Sequence, residues 1–199
     1  DGTTSTNVSP NKTYATSGTF NVRLAVTSVN GCIDSVIKAV TIFPNPTASF
    51  TANNVCKGFP STFTNTSTGA SSYVWDFGNG NSSTQTSPTV TYPASGTFTV
   101  KLTATTSNGC SQSASSSYTV FASPTAAFTS NNVCIGTTIN FSNGSSGAST
   151  YSWNFGDATT SSLNNPSKSY SASGNFNVKL VASTSNGCKD SVTKQVVIF

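Results

Sequence analysis

The residues best able to do chemistry in this sequence are five cysteines: Cys32, Cys56, Cys110, Cys134 and Cys188. They form two series at a step of 78 residues, one of Cys32, Cys110 and Cys188 and one of Cys56 and Cys134. No histidine and no CxxC spacing accompany them, which removes the usual structural zinc arrangement. The chemistry left is disulfide formation, and cysteines at regular spacing in a repeat point to an oxidising compartment. The acids are five aspartates, Asp1, Asp34, Asp76, Asp157 and Asp190, with no glutamate. They lie far apart and form no acid/base pair. Serine and threonine are abundant but have no partner base. The sequence therefore reads as non-enzymatic. Only 7% of residues are charged, and the nine cations are dispersed along the chain. A nucleic-acid surface would cluster them on one face, so no nucleic-acid partner is expected.

The cysteine step recurs elsewhere. Trp75 and Trp153 keep it, as do Tyr14, Tyr92 and Tyr170, and Phe43, Phe121 and Phe199. A fixed period marks one structural unit copied in tandem. Residues 44–121 and 122–199 are two full units, while 1–43 match only the C-terminal half of one, residues 79–121. The sequence is thus expected to be a slice of a longer, exported polypeptide. A unit of this size can bury one modest core, which often needs reinforcement.

The elements holding these residues read as β-strands. In the middle unit, Thr47–Ala52, Ser61–Thr66, Tyr73–Phe77, Thr89–Tyr92, Thr97–Thr106 and Ser113–Phe121 alternate or are rich in β-formers. Tyr73, Trp75 and Phe77 share one face of their strand. Phe98, Val100, Leu102 and Ala104 point inward from the longest one. Lys57-Gly58-Phe59-Pro60 is a turn, and Asn108-Gly109 is the strongest hairpin signal. No window has helical periodicity, and nothing suggests a membrane-spanning segment. The expected fold class is all-β, with tandem antiparallel β-sandwiches on a 78-residue repeat. Pro46 and Pro124 stiffen the short linkers between units and favour a semi-rigid array.

Tyr73-Val74-Trp75-Asp76-Phe77-Gly78-Asn79-Gly80 resembles the Trp-Asp-Phe-Gly-Asp-Gly signature of PKD (polycystic kidney disease) domains. Downstream, Pro88, Tyr92 and Gly96-Thr97-Phe98-Thr99-Val100 are similar to the family's Pro…Tyr…Gly-Thr-Tyr-Thr-Val run. Tyr151–Ala158, Pro166, Tyr170 and Gly174–Val178 repeat the pattern. The resemblance implies immunoglobulin-like sandwiches. It also departs from the pattern: Asn79 replaces the second Asp in one unit, and Asn154 and Ala158 replace the first Asp and the last Gly in the next. Trp75, Asp76, Trp153, Asn154 and Asp157 then read as architectural, with Trp in the core and Asp or Asn capping the following turn. One carboxylate per motif is poor provision for calcium, which takes six to eight oxygens, so no cofactor is expected. Val55-Cys56-Lys57-Gly58 and Asn108-Gly109-Cys110 are similar to PKD arrays of Bacteroidetes surface proteins, in particular gliding-motility adhesins exported by the type IX system.

The fold implied by the resemblance bears on the cysteines. Three pairings respect the period: Cys56–Cys110 with Cys134–Cys188, Cys32–Cys56 with Cys110–Cys134, or Cys56 with Cys188 of the following unit; unpaired buried thiols are the alternative to all three. In an immunoglobulin-like sandwich the two cysteine positions lie at opposite poles, about 20 Å apart for a six-residue strand, whereas bridged Cα atoms lie within about 7 Å. A chain leaving one unit at the lower pole and entering the next at the upper favours Cys56–Cys188. Cys32, Cys110 and Cys134 would then pair with units outside these residues.

Asp34-Ser35-Val36 and Asp190-Ser191-Val192 resemble the Asp-Ser/Thr-apolar motif of Bacteroidetes O-glycosylation, which makes Ser35 and Ser191 glycosylation candidates. The expected role is a structural or adhesive segment of a long, rod-like extracellular filament or adhesin stalk at the cell surface. Its partners would be neighbouring repeats and surface polysaccharide or other surface proteins. The alternative is an accessory carbohydrate- or protein-binding module of a secreted hydrolase.

Overall fold

The computed structural model describes residues 1–199, and its regular elements are all β-strands. The chain forms two compact units. One comprises Asp1–Thr51, Thr64–Pro88 and Val100–Ser116; the other comprises Ala52–Phe63, Thr89–Thr99 and Ser117–Phe199.

The last repeat lies wholly in the second unit and shows the sandwich plan. One sheet runs in the order Thr160–Ser161, Thr150–Asn154, Gly174–Ser183, Lys189–Ile198, with every neighbour antiparallel. Opposite it lie the pairs Thr138–Asn140 with Ser167–Ser169 and Phe128–Thr129 with Ser142–Asn143. Alternation along the strands sends Val178, Leu180 and Ala182 inward and leaves their neighbours Lys179 and Val181 less buried. The core gathers Phe128, Ile139, Phe141, Trp153, Phe155, Tyr170, Val178, Leu180, Val196 and Ile198. Trp153 is fully buried and faces Leu180 across the ladder. Its ring meets Phe128 edge-on at 5.1 Å, and its Nε1–H donates to the carbonyl of Leu163 at 2.9 Å. The indole thus buries a large apolar area while its polar atom stays paired.

The middle repeat uses the same devices at positions 78 lower. In the first unit, Ser72–Asp76 pairs with Lys101–Thr105 and with Ser82–Ser83. Trp75 is fully buried there, meets Phe50 edge-on at 5.2 Å, and donates from Nε1 to the carbonyl of Gln85 at 3.0 Å. In the second unit, Pro60–Thr62 pairs with Thr89–Thr91, and Tyr92 lies among Phe98 and Tyr118.

Two positions change together between these repeats. Ile139 and Val196 in the last core correspond to Ser61 and Tyr118 in the middle one, a small side chain gained against a large one. Both hydroxyls are buried, and neither has a hydrogen-bond partner.

Residues 1–43 contain one hairpin, Gly18–Thr27 with Ile33–Ile42, in a ten-pair antiparallel register. Its strands match Gly96–Thr105 and Gly174–Ser183, yet Val22, Leu24 and Val26 are 44–59% exposed where Val100, Leu102 and Ala104 are fully buried.

The strand expected over Thr47–Ala52 is shorter in the structure. Regular pairing begins at Phe50, and Thr47 makes only an isolated bridge to Thr68. The backbone N–H groups of Ala48 and Ser49 are taken by the side chains of Gln112 and Ser67, which interrupts a continuous ladder.

Candidate functional site

Cys56 and Cys188 are joined by a disulfide with Cα atoms 5.6 Å apart, and they are 132 positions apart in sequence. Each sulfur is held by a local device that the repeat copies.

Cys56 ends the two-residue strand Val55–Cys56, which pairs in parallel with Val120–Phe121 at the end of its own repeat. Lys57 N–H donates to the Phe121 carbonyl at 2.8 Å, and the Asn54 side chain accepts from Thr119 N–H at 2.9 Å. A turn closed by Phe59 N–H on the Cys56 carbonyl, 3.1 Å, follows at once. Cys134 repeats the arrangement. Val133 bridges Ile198 in parallel, Ile135 N–H donates to the Phe199 carbonyl at 2.9 Å, and Asn132 accepts from Val197 N–H at 2.9 Å. These asparagines were not singled out in the sequence, although their 78-residue spacing marks them.

Cys188 closes the hairpin between the last two strands and is 1% exposed. Its N–H donates to Thr184 Oγ1 at 3.1 Å, and its carbonyl accepts from Thr184 N–H at 2.8 Å. Cys110 with Thr106, and Cys32 with Ser28, make the same two bonds at the same lengths. All five cysteines are therefore presented on one of two rigid turns. Cys32 and Cys134 are exposed thiols, and Cys110 is a half-buried one.

The Trp-Asp-Phe-Gly turns form the second feature. Asp76 Oδ1 accepts from Gly78 N–H at 2.9 Å, and Asn154 Oδ1 accepts from Gly156 N–H at the same distance. Asn79 accepts from Asn81 N–H at 3.0 Å, and Asp157 from Thr159 N–H at 3.1 Å. Asp and Asn are interchangeable here because the turn uses an oxygen, not a charge. The charge at Asp157 has another partner, Lys168 Nζ at 2.7 Å. Lys168 also lies over the rings of Phe155 and Tyr170. Asp1 and Lys12 form the same pair at 2.8 Å, with Lys12 over Tyr14. In the middle repeat, Asn79 corresponds to Asp157 and Val90 to Lys168, so acid and base disappear together. Nowhere do three His, Cys, Asp or Glu side chains gather as metal ligands.

Partial burial alone would raise the Asp157 pKa. Hydrogen bonds from Lys168 and Thr159, with the charge of Lys168, outweigh burial and hold the carboxyl below its ordinary value. Tyr170 goes the other way. Burial, then the nearby Asp157 charge, push it up to about 12, and its hydroxyl donates to the Phe155 carbonyl at 2.9 Å.

Two polar side chains extend the repeat's grip on its linker. Asp190 Oδ2 accepts from Ala126 N–H at 2.8 Å, and Gln112 does the same for Ala48 at 3.4 Å. Lys194 Nζ donates to the Phe128 carbonyl at 2.6 Å and lies over its ring. Ser35 and Ser191 are exposed on their strands. No helix is long and apolar enough to cross a membrane.

Sandwich architecture, a buried Trp and an oxygen-capped Phe-Gly turn, copied at a fixed step, define a tandem array of immunoglobulin-like modules. The chain belongs to the PKD domain family, whose model matches residues 44–122 and again 121–199. PKD domains are non-catalytic modules. Among solved structures, the PKD1 domain of the Vibrio cholerae metalloprotease PrtV is 34% identical over 39% of this chain and 98% of its own, with a TM-score of 0.36. The PKD1 domain of Vibrio anguillarum Epp is 30% identical over 40% of this chain and 96% of its own, with a TM-score of 0.37. A calcium-stabilised, ice-binding adhesin of an Antarctic bacterium is 16% identical over 91% of this chain and 57% of its own, with a TM-score of 0.44. A search of curated proteins found no match.

Proposed function

We propose that this chain is a structural segment of an extracellular surface protein, a rod-like filament or adhesin stalk built from serial PKD repeats. The observation that carries this reading is the Cys56–Cys188 bond, which joins one repeat covalently to the next. An independent binding module has no use for such a bond, whereas a series that must stay aligned under load does. On this reading residues 1–43 are the C-terminal half of a further repeat, between the same borders as 79–121. Their Tyr14–Phe20 stacking at 4.3 Å and Lys12–Asp1 pair support that assignment. Cys32, Cys110 and Cys134, on the same turns as the bonded pair, take partners in repeats beyond these residues. The wider setting is the surface of a Bacteroidetes cell, in a gliding-motility type of adhesin exported by the type IX system, with glycans on Ser35 and Ser191. No cofactor enters this reading, and its partners are neighbouring repeats and cell-surface polysaccharide or protein.

Antibodies to the chain, applied to intact producing cells, test the reading. Labelled extracellular filaments are the expected result, and label confined to the cytoplasm overturns it. Label only on a soluble hydrolase, with pull-down of the chain on cellulose, chitin or collagen, would establish the accessory-module alternative instead.

A further inference from the structure

We propose that the Cys56–Cys188 disulfide is a tension bypass. Force applied to the two ends of the chain crosses from residue 56 to residue 188 through the sulfurs, and the chain between them cannot be drawn out while the bond is intact.

The argument is one of connectivity. The bond spans 132 positions of a 199-residue chain. Trp75 and Trp153, the Trp-Asp-Phe-Gly turns and the strands Gly96–Thr105 and Gly174–Ser183 lie inside the loop it closes, whereas Phe50 of one core and Val196 and Ile198 of the other lie outside it. Also inside the loop are the bonds that clamp the Cys56 turn to its own repeat, from Lys57 N–H to the Phe121 carbonyl and from Thr119 N–H to Asn54, save for Asn54 itself. A covalent link carries the load in parallel with these weak contacts and is far stiffer than they are. The segments left in series with the load are residues 1–56 and 188–199. They include the hairpin Gly18–Ile42 and the last strand, Lys189–Ile198, which is held by its ten-pair register with Gly174–Ser183. Tension therefore works on the two ends, the last strand with its Val196 and Ile198 among them, and cannot draw out residues 57–187 while the bond is intact. Breaking the bond places the whole chain in series. This inference rests on the proposed pairing and not on where the chain is displayed: the stretching test reads the isolated oxidised chain, so its outcome and that of the cell-labelling test are separate.

Reduction releases the enclosed length. A dithiothreitol thiolate attacks one sulfur of the bond and displaces the other as a thiolate. The second dithiothreitol thiol then closes on the mixed disulfide. Two electrons and two protons pass to the protein, leaving cyclic oxidised dithiothreitol and Cys56 and Cys188 as thiols.

The test is single-molecule stretching of the full chain between N- and C-terminal tethers. At about 3.6 Å per residue, the 56 residues up to Cys56 and the 12 from Cys188 onward allow about 24 nm of contour without reductant, against about 72 nm for all 199 with it. The expected result is this threefold difference. Cys56→Ser should extend fully without reductant, whereas the triple variant Cys32→Ser, Cys110→Ser and Cys134→Ser should behave as the parent. Full extension of the oxidised parent, or equal lengths in both conditions, overturns the proposal. Loss of the short limit in the triple variant does so as well, because the restraint would then lie in another cysteine pair.

Discussion

Replacing Gly156 with alanine tests how closely the Trp-Asp-Phe-Gly turn is pressed against its sheet. Gly156 has φ +80°, and a Cβ there would lie 2.9 Å from both the backbone N and the backbone O of Asn177. Asn177 sits within Gly174–Ser183, opposite Gln195 of the neighbouring strand, so it has little freedom to withdraw. Gly80 is the comparison. Its φ is +84°, but a Cβ would meet nothing within 4 Å. Gly80→Ala should cost only the left-handed conformation, about 1–2 kcal/mol. Gly156→Ala should add overpacking of about 1–3 kcal/mol against backbone. Each repeat has one tryptophan, so fluorotryptophan resonances of Trp75 and Trp153 report the two unfolding transitions separately during urea titration. The Trp153 transition should fall further in Gly156→Ala than the Trp75 transition does in Gly80→Ala. Equal losses would refute the close approach to Asn177.

Further outcomes follow from the same geometry. The Asp157 carboxyl is held below its ordinary value in the folded state, so its stabilisation is present above the unfolded pKa, near 3.8, and is lost as pH falls through the lower folded value. Asp157→Asn should therefore flatten the acid loss of the Trp153 transition and leave the Trp75 transition, whose repeat has Asn79, unchanged. Tyr118→Phe removes a buried hydroxyl that has no partner and should stabilise the middle repeat by about 1 kcal/mol in urea titration. Cys188→Ser should lower stability by about 2–4 kcal/mol by freeing a long loop in the unfolded chain, and dithiothreitol should reproduce the loss in the parent. Excess EDTA should leave the melting temperature unchanged, because Asp157 is paired with Lys168 and Asp76 caps the Gly78 N–H; a fall on chelation would reveal a calcium role.

Much of this architecture could be read from the sequence because the decisive signals were local or periodic. Trp75 and Trp153 announce their burial by type, and Val100, Leu102 and Ala104 by strict alternation. The elements that escaped notice are short and paired at long range. Val55–Cys56 and Ser82–Ser83 are two residues each, too brief for any periodicity, and Val55 finds its partner at Val120. The strand start at Phe50 was also misplaced, because side chains of Gln112 and Ser67 take the N–H groups before it. Within the site, the capping role of Asp and Asn follows from residue type, whereas the ion pair of Asp157 with Lys168 requires the fold to bring the two together. That pair still left a mark in the sequence, since Asn79 and Val90 change in concert with it. Gly156 shows the opposite limit: its φ suits any turn glycine, and only the structure reveals the backbone of Asn177 behind it.

The bond between Cys56 and Cys188 also bears on how such a gene can change length. The bond links the early cysteine of one repeat to the late cysteine of the following repeat. Under that rule an inserted copy of residues 44–121 brings one cysteine of each kind, and so adds one bond and no extra unpaired thiol. Unequal recombination between copies could then lengthen or shorten the series by whole repeats, with the covalent pattern restored each time. A pairing confined within each repeat would give the same tolerance but no linkage from one repeat to the next.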